Sequence, residues 1–201
     1  MANPYGDIEL DAHGMRALAH PVRLAILTRL QRHGPQTATG LSEHVGASPS
    51  VASWHLRHLA KHGLVRDAGA LGTGRERWWQ AASRGFRVVV ENETGRRAAR
   101  RLQELVAATE GDEVADWQRD VEPTLELDWW DLSGLSDTTI LVTRAELEQL
   151  AVSMEELLAP FVLRKDAPAH EIPAGARDVR IRRHVMPSAA TQDRRAGGVD
   201  G

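Results

Sequence analysis

The chain is 201 residues long, 42% hydrophobic and free of cysteine, long enough to bury one large core or two small ones and closed to disulfide frameworks, thiolate metal sites and cysteine nucleophiles. No apolar run reaches the eighteen or so residues of a membrane span, and the opening MANPYGDIELDAHG lacks a basic flank followed by an apolar stretch, so a soluble cytoplasmic protein without a membrane partner is expected. The formal net charge of -3 hides an asymmetry: residues 11–90 hold eleven Arg or Lys against four Asp or Glu, a net +7, whereas residues 110–160 hold two against fourteen, a net -12.

In chain order, residues 15–20 predict a short helix, and Pro21 suits the first turn of a second, where its missing N–H is not needed. Leu18, Val22, Ile26 and Leu30 recur at helical spacing and mark a buried face. Gly34 and Pro35 stop that helix. Thr37 or Thr39 can cap a short third helix with Leu41 and Val45 on its apolar side and Gly46 at its end. Ser48 then reads as an N-cap and Pro49 as a first helical residue, predicting a helix over 49–62 closed by Gly63.

Helix, tight turn, helix is the arrangement that places the later helix in a major groove with the earlier one bracing it. Residues 64–68 and 75–81 predict two strands of a hairpin around a glycine-rich tip at 69–74, a β-wing. Residues 84–109 predict a helix with Leu102, Leu105 and Val106 on one side, a candidate dimerisation element. The acidic stretch 111–137 carries no assignable element. Residues 139–142 predict a strand, Thr143 with Glu146 a capping box opening a helix through Leu158, and 178–185 an edge strand able to pair with 139–142.

The expected fold is therefore mainly α with a small β component: a winged helix-turn-helix DNA-binding domain at 1–90, a dimerisation helix at 91–110, an acidic α/β dimerisation or regulatory extension at 111–187, and a disordered tail at 188–201.

Around the helix at 49–62, Ala52, His55, Leu56 and Leu59 fall on one apolar face. Ser53, Arg57, Ser50, Lys61 and Trp54 collect on an arc about 160° to 260° round from His55. No acidic residue interrupts that arc, although an ordinary solvated helix usually includes some. Hydroxyls can bond phosphates or base edges, Arg57 can reach guanine or phosphate, and Trp54 can stack on sugar or pack on a thymine methyl. The expected DNA-binding set is Ser48, Ser50, Val51, Ser53, Trp54, Arg57 and Lys61, with Arg75 and Arg77 on the wing, where arginines follow a minor groove or backbone.

Three segments, ALAHPVRLAIL at 17–27, LSEHVGASPSVASWHLRHLAKHGLV at 41–65 and GRERWW at 74–79, together resemble the ArsR-type winged-helix repressors over roughly residues 11–90. The resemblance implies that 49–62 reads DNA, that the protein is a homodimer on a pseudo-palindromic operator in double-stranded DNA, and that it represses until a signal releases it. Pro49 and Trp54 depart from the polar residues often found there, so no base preference carries over. About a hundred residues extend beyond the minimal family unit.

Competing readings of single features are weaker. His55, His58 and His62 lie within about 60° of one another on the helix, but no carboxylate on it completes a metal set, and the resembling family places a structural histidine at His55. Its metal sensors use Cys before the reading helix or Asp and His in the dimer helix. LSEHVG has no Cys and 94–109 no His, so neither metal nor cofactor is expected. Gly69, Gly72 and Gly74 lack the Gly-Lys-Ser/Thr ending of a phosphate loop. Trp117, Trp129 and Trp130 suit packing more than a ligand cage, with a small-molecule effector pocket as the alternative. No nucleophile elbow, zincin signature or dinucleotide fingerprint supports an enzyme. A protein-interaction module with a structural winged helix and an acidic partner-binding half is the runner-up.

Overall fold

The computed structural model describes residues 3, 5–69, 76–164 and 167–188. The chain divides into two units, 1–163 and 164–201, each taken by itself.

In the first unit, Asp11 accepts from the N–H groups of His13 and Gly14 at 3.0 and 2.8 Å and opens α1 (Ala12–Leu18), earlier than the expected 15–20. The His20 ring accepts from the Val22 N–H at 3.2 Å, and with Pro21 in the first turn it starts α2 (Pro21–His33). Gly34, at φ 75, ends it. Thr37 rather than Thr39 caps α3 (Ala38–Ser42), accepting from the Gly40 N–H at 3.1 Å. Ser48 caps α4 (Pro49–Lys61), which gives way at Gly63, φ 68.

The hairpin forms as β3 (Val65–Asp67) antiparallel to β4 (Trp78–Ala81), with Val65 opposite Ala81 and Asp67 opposite Trp79. A third strand, β2 (Gln36–Thr37), pairs with the other edge of β4. Ile26, Leu27 and Leu30 of α2, Leu41 of α3, Leu56 and Leu59 of α4, and Leu64 and Trp79 of the hairpin are all buried in one cluster. This is the expected winged helix-turn-helix. Residues 70–75, which hold most of the expected hairpin tip and Arg75, lie outside the described residues.

Like β2, two further strands have no counterpart in the sequence reading. β1 (Ile8–Leu10) pairs in parallel with β5 (Phe86–Val88), in the register Ile8 to Phe86. The expected helix over 84–109 therefore begins as a strand, and α5 (Glu93–Asp120) starts only where Asn92 accepts from the Gly95 N–H at 2.9 Å. Ala98, Ala99 and Leu102 of α5 are buried, with Leu105 and Val106 packed against the same core. The apolar face assigned to a partner thus packs within the chain, where α5 lies against α1. Arg32 Nη2 meets Glu113 Oε1 at 2.5 Å and joins α2 to the far half of α5.

Beyond α5 come a 3-10 turn (Glu122–Thr124), a short α6 (Leu127–Trp130) and α7 (Arg144–Arg164). The capping box forms: Glu146 Oε2 accepts from the Thr143 N–H at 2.7 Å. α7 does not stop at Leu158 or Pro160 but runs through the proline. Pro160 has no N–H for the Glu156 carbonyl one turn back, and both residues are exposed.

Residues 139–142 are not a strand, which corrects the expected α/β extension. Ile140 and Leu141 are 51% and 96% exposed, so no sheet covers these β-branched and apolar side chains. In the second unit, a 3-10 turn (Ala169–Glu171) precedes residues without regular structure, so 178–185 is not a strand either. The tail assigned to disorder lies, after Ser188, outside the described residues.

One polar cluster fixes α7. Glu155 is its one buried residue among those described, and Glu155 Oε2 lies 2.8 Å from Arg87 Nη2 of β5. Asp7 Oδ2 stands 3.8 Å from Arg87 Nε, and the Tyr5 hydroxyl donates to the Glu155 carbonyl at 2.8 Å. Burial pushes the Asp7 carboxyl above its ordinary range, against the opposing pull of Arg87.

Candidate nucleic-acid interface

The reading helix is held from below by apolar packing and from its start by a cap. Ala52, His55, Leu56 and Leu59 of α4 are buried. Ser48 Oγ accepts from the Val51 N–H at 3.5 Å, a long bond, and lies 3.2 Å from Ser50 Oγ. Ser50, Val51, Trp54, Arg57 and Lys61 are exposed and Ser53 is half-buried, so the predicted arc is the free face. α4 carries no carboxylate, and its charged side chains, Arg57 and Lys61, both lie on that face.

The wing completes a concave surface. Thr37, Ala38 and Thr39 at the start of α3, Ser53 and Arg57 of α4, and Glu76, Arg77 and Trp79 at the hairpin line one hollow. Trp54, Arg57, His58 and Lys61 line a second, which shares Arg57. The structure thus brings Ser53, Arg57 and Arg77 together from two separated stretches of chain. Arg77 sits at the base of the wing: its Nε is 2.6 Å from Asp67 Oδ2, and its guanidinium lies 4.2 Å over the Trp79 ring. The Gly69 N–H and then Arg77 hold the Asp67 carboxyl below its ordinary range. A cation with one carboxylate partner and a fixed plane keeps outward donors for an anion.

Thr39 and Glu76 were missed by sequence reasoning. The Thr39 hydroxyl donates to Glu76 Oε1 at 3.0 Å and ties α3 to the hairpin. The pairing of two-residue β2 with β4 brings them together, and no local pattern announces it.

The histidines and Trp54 form a chain of ring contacts. His20 lies 4.7 Å from His55, Trp54 meets His55 edge-on at 4.8 Å, Trp54 stacks on His58 at 5.8 Å and 24°, and His58 lies 5.1 Å from His62. Burial first, and Arg23 among the neighbouring charges, push His20, His55 and His58 below the ordinary imidazole range. Among the described residues no group of three or more His, Asp or Glu is arranged to hold a metal ion.

The tryptophans weighed as an effector site stand on two helices: half-buried Trp117 on α5, half-buried Trp129 and 52% exposed Trp130 on α6. Neither hollow described above includes them.

The helix-turn-helix domain family matches residues 18–68, which hold α2, α3, α4 and β3. No curated protein matches the chain. Among solved structures it is similar to RV1404 from Mycobacterium tuberculosis, at 17% identity over 73% of this chain and 78% of that one, with a TM-score of 0.30. It is also similar to the Mycobacterium tuberculosis MarR family protein RV2887 in complex with salicylic acid, at 16% identity over 74% of this chain and 87% of that one, again with a TM-score of 0.30. No helix among the described residues is long and apolar enough to cross a membrane. The chain therefore carries a helix-turn-helix domain, the unit through which DNA-binding transcriptional regulators present a reading helix to the major groove.

Proposed function

We propose that this protein is a sequence-specific DNA-binding transcriptional regulator of the ArsR type, acting as a homodimeric repressor on a pseudo-palindromic operator and released by a signal. The observation that carries this reading is the acid-free exposed face of α4, continuous through Arg57 with Arg77 at the wing. Ser50, Val51, Ser53, Trp54, Arg57 and Lys61 are the groove-facing set, Ser48 positions their helix, and Arg75 and Arg77 are the wing contacts. The net charge of +7 over residues 11–90 favours a polyanion at this end.

Residues 91–110 are assigned to dimerisation through surfaces other than the apolar face that packs within the chain, and residues 111–187 to dimerisation or signal reception. Leu127, Leu132 and Leu135 are 84%, 87% and 99% exposed, the state of a surface that awaits a covering partner. Trp117, Trp129 and Trp130 in the same region are the residues proposed to meet a small-molecule effector. These exposed leucines in an acidic stretch also favour the second reading, a protein-interaction module whose winged helix is structural.

Mobility shift on DNA from the gene's own upstream region, across a salt series and against unrelated competitor, tests the proposal. A regulator binds its site at least about a thousandfold more tightly than competitor, with two protomers per site and a steep salt dependence. Weak, salt-indifferent binding points instead to the interaction module.

A further inference from the structure

Trp54 is 55% exposed at the edge of a basic face, where an indole gains nothing from water. It is also held in place. Its ring stacks on His58 at 5.8 Å with 24° between planes, and meets buried His55 edge-on at 4.8 Å. Arg57 and Lys61 line the same hollow beside it. Two cations able to track phosphate thus stand beside a held apolar plate. In a major groove lined by donors and acceptors, the apolar feature is the thymine 5-methyl group.

We propose, resting on the DNA-binding reading above, that Trp54 is a specificity-determining residue that reads a thymine methyl, and that His58 is the positioning residue that fixes its indole. The plate needs no rearrangement on binding, so little side-chain freedom is given up on docking. His58 offers the indole a neutral face, since burial and the nearby Arg23 disfavour its charged form.

The probe is a duplex enriched from a random-sequence library by the full-length wild-type chain, with each thymine replaced in turn by deoxyuridine, which removes the methyl group alone. Burying one methyl against the indole is worth about 0.8 kcal/mol, or about fourfold in affinity. The wild type is expected to lose about fourfold at one thymine per half-site and nothing at the others. Trp54→Ala should bind the thymine and uracil duplexes equally. His58→Ala should shrink the discrimination, and His58→Phe, which keeps a flat ring, should restore it, a rescue that a merely structural role would not give.

Two results overturn the proposal while leaving DNA binding intact: a wild type indifferent to every substitution, or discrimination kept by Trp54→Ala. Trp54 is exposed, so its replacement leaves the fold standing, which circular dichroism checks. A library that yields no enriched duplex overturns the DNA-binding reading itself, and this inference with it.

Discussion

Replacing Glu155 with Ala removes the carboxylate that anchors α7 and leaves Arg87 charged at a site where its side chain is 17% exposed. At an effective dielectric of about 20, the Arg87–Glu155 pair at 2.8 Å attracts by about 6 kcal/mol and the Arg87–Asp7 pair at 3.8 Å by about 4 kcal/mol. Desolvation of the three groups and the repulsion between the two carboxylates offset most of this. Removing one partner of a buried pair costs about 3 to 5 kcal/mol when the other is left alone. Arg87 is not left alone in Glu155→Ala, because Asp7 remains, so a loss of about 2 kcal/mol is expected, about 4 to 8 °C in Tm for a chain of this size.

Arg87→Met leaves two buried carboxylates facing each other and should reach the full 3 to 5 kcal/mol. Urea unfolding at pH 7 ranks the two variants. Hydrogen exchange along α7 locates the loss, which should be largest around residue 155 in both. A Glu155→Ala loss below about 0.5 kcal/mol, or one equal to that of Arg87→Met, contradicts a three-group cluster centred on Arg87.

Ser48→Ala should lower stability by about 0.5 to 1 kcal/mol, at the low end for an N-cap because the bond to Val51 is long at 3.5 Å; calorimetry decides, and no change would show the cap is not formed in solution. In Gly85→Ala the new Cβ would lie 2.7 Å from Asp7 Oδ1, so a loss of about 1 to 3 kcal/mol is expected; an unchanged Tm would mean that β1 and β5 are not held this close. His20, His55 and His58 all have depressed pKa values, so protonation favours the unfolded chain. Their contribution is complete above the unfolded value near 6.5 and is lost as pH falls below it toward the folded values. Tm should fall from pH 7 to 5, and less so in His20→Asn, which keeps an acceptor for the Val22 N–H; an equally steep fall would remove His20 from the effect.

The helix-turn-helix was legible because its boundaries are written locally. Pro21 and Pro49 open helices, Ser48 caps one, and Gly34 and Gly63 take the positive φ that ends them. The outward arc of α4 followed from helical geometry alone, so Ser50, Trp54, Arg57 and Lys61 emerged on the expected side. What stayed hidden depends on partners far away in sequence. β1 and β5 are three-residue strands whose parallel pairing leaves no local pattern. Glu155 has no local signal of burial, because the groups beside it, Tyr5 and Arg87, are far away in sequence. Residues 139–142 show the reverse error: β-branched side chains make a strand only when a neighbouring strand accepts them, and here none does. Leu102 was correctly read as apolar, but periodicity does not say whether an apolar face meets its own core or another chain.

The most direct measurement compares the wild type with an Arg57→Ala, Lys61→Ala double variant on the upstream-region duplex and on unrelated DNA, following affinity against salt. If α4 lies in the groove of a dimer site, the variant binds specific DNA at least about tenfold more weakly, and its salt slope flattens by up to about 0.9 for each phosphate that is no longer neutralised. A variant that matches the wild type in affinity and slope on both duplexes would take α4 off the DNA.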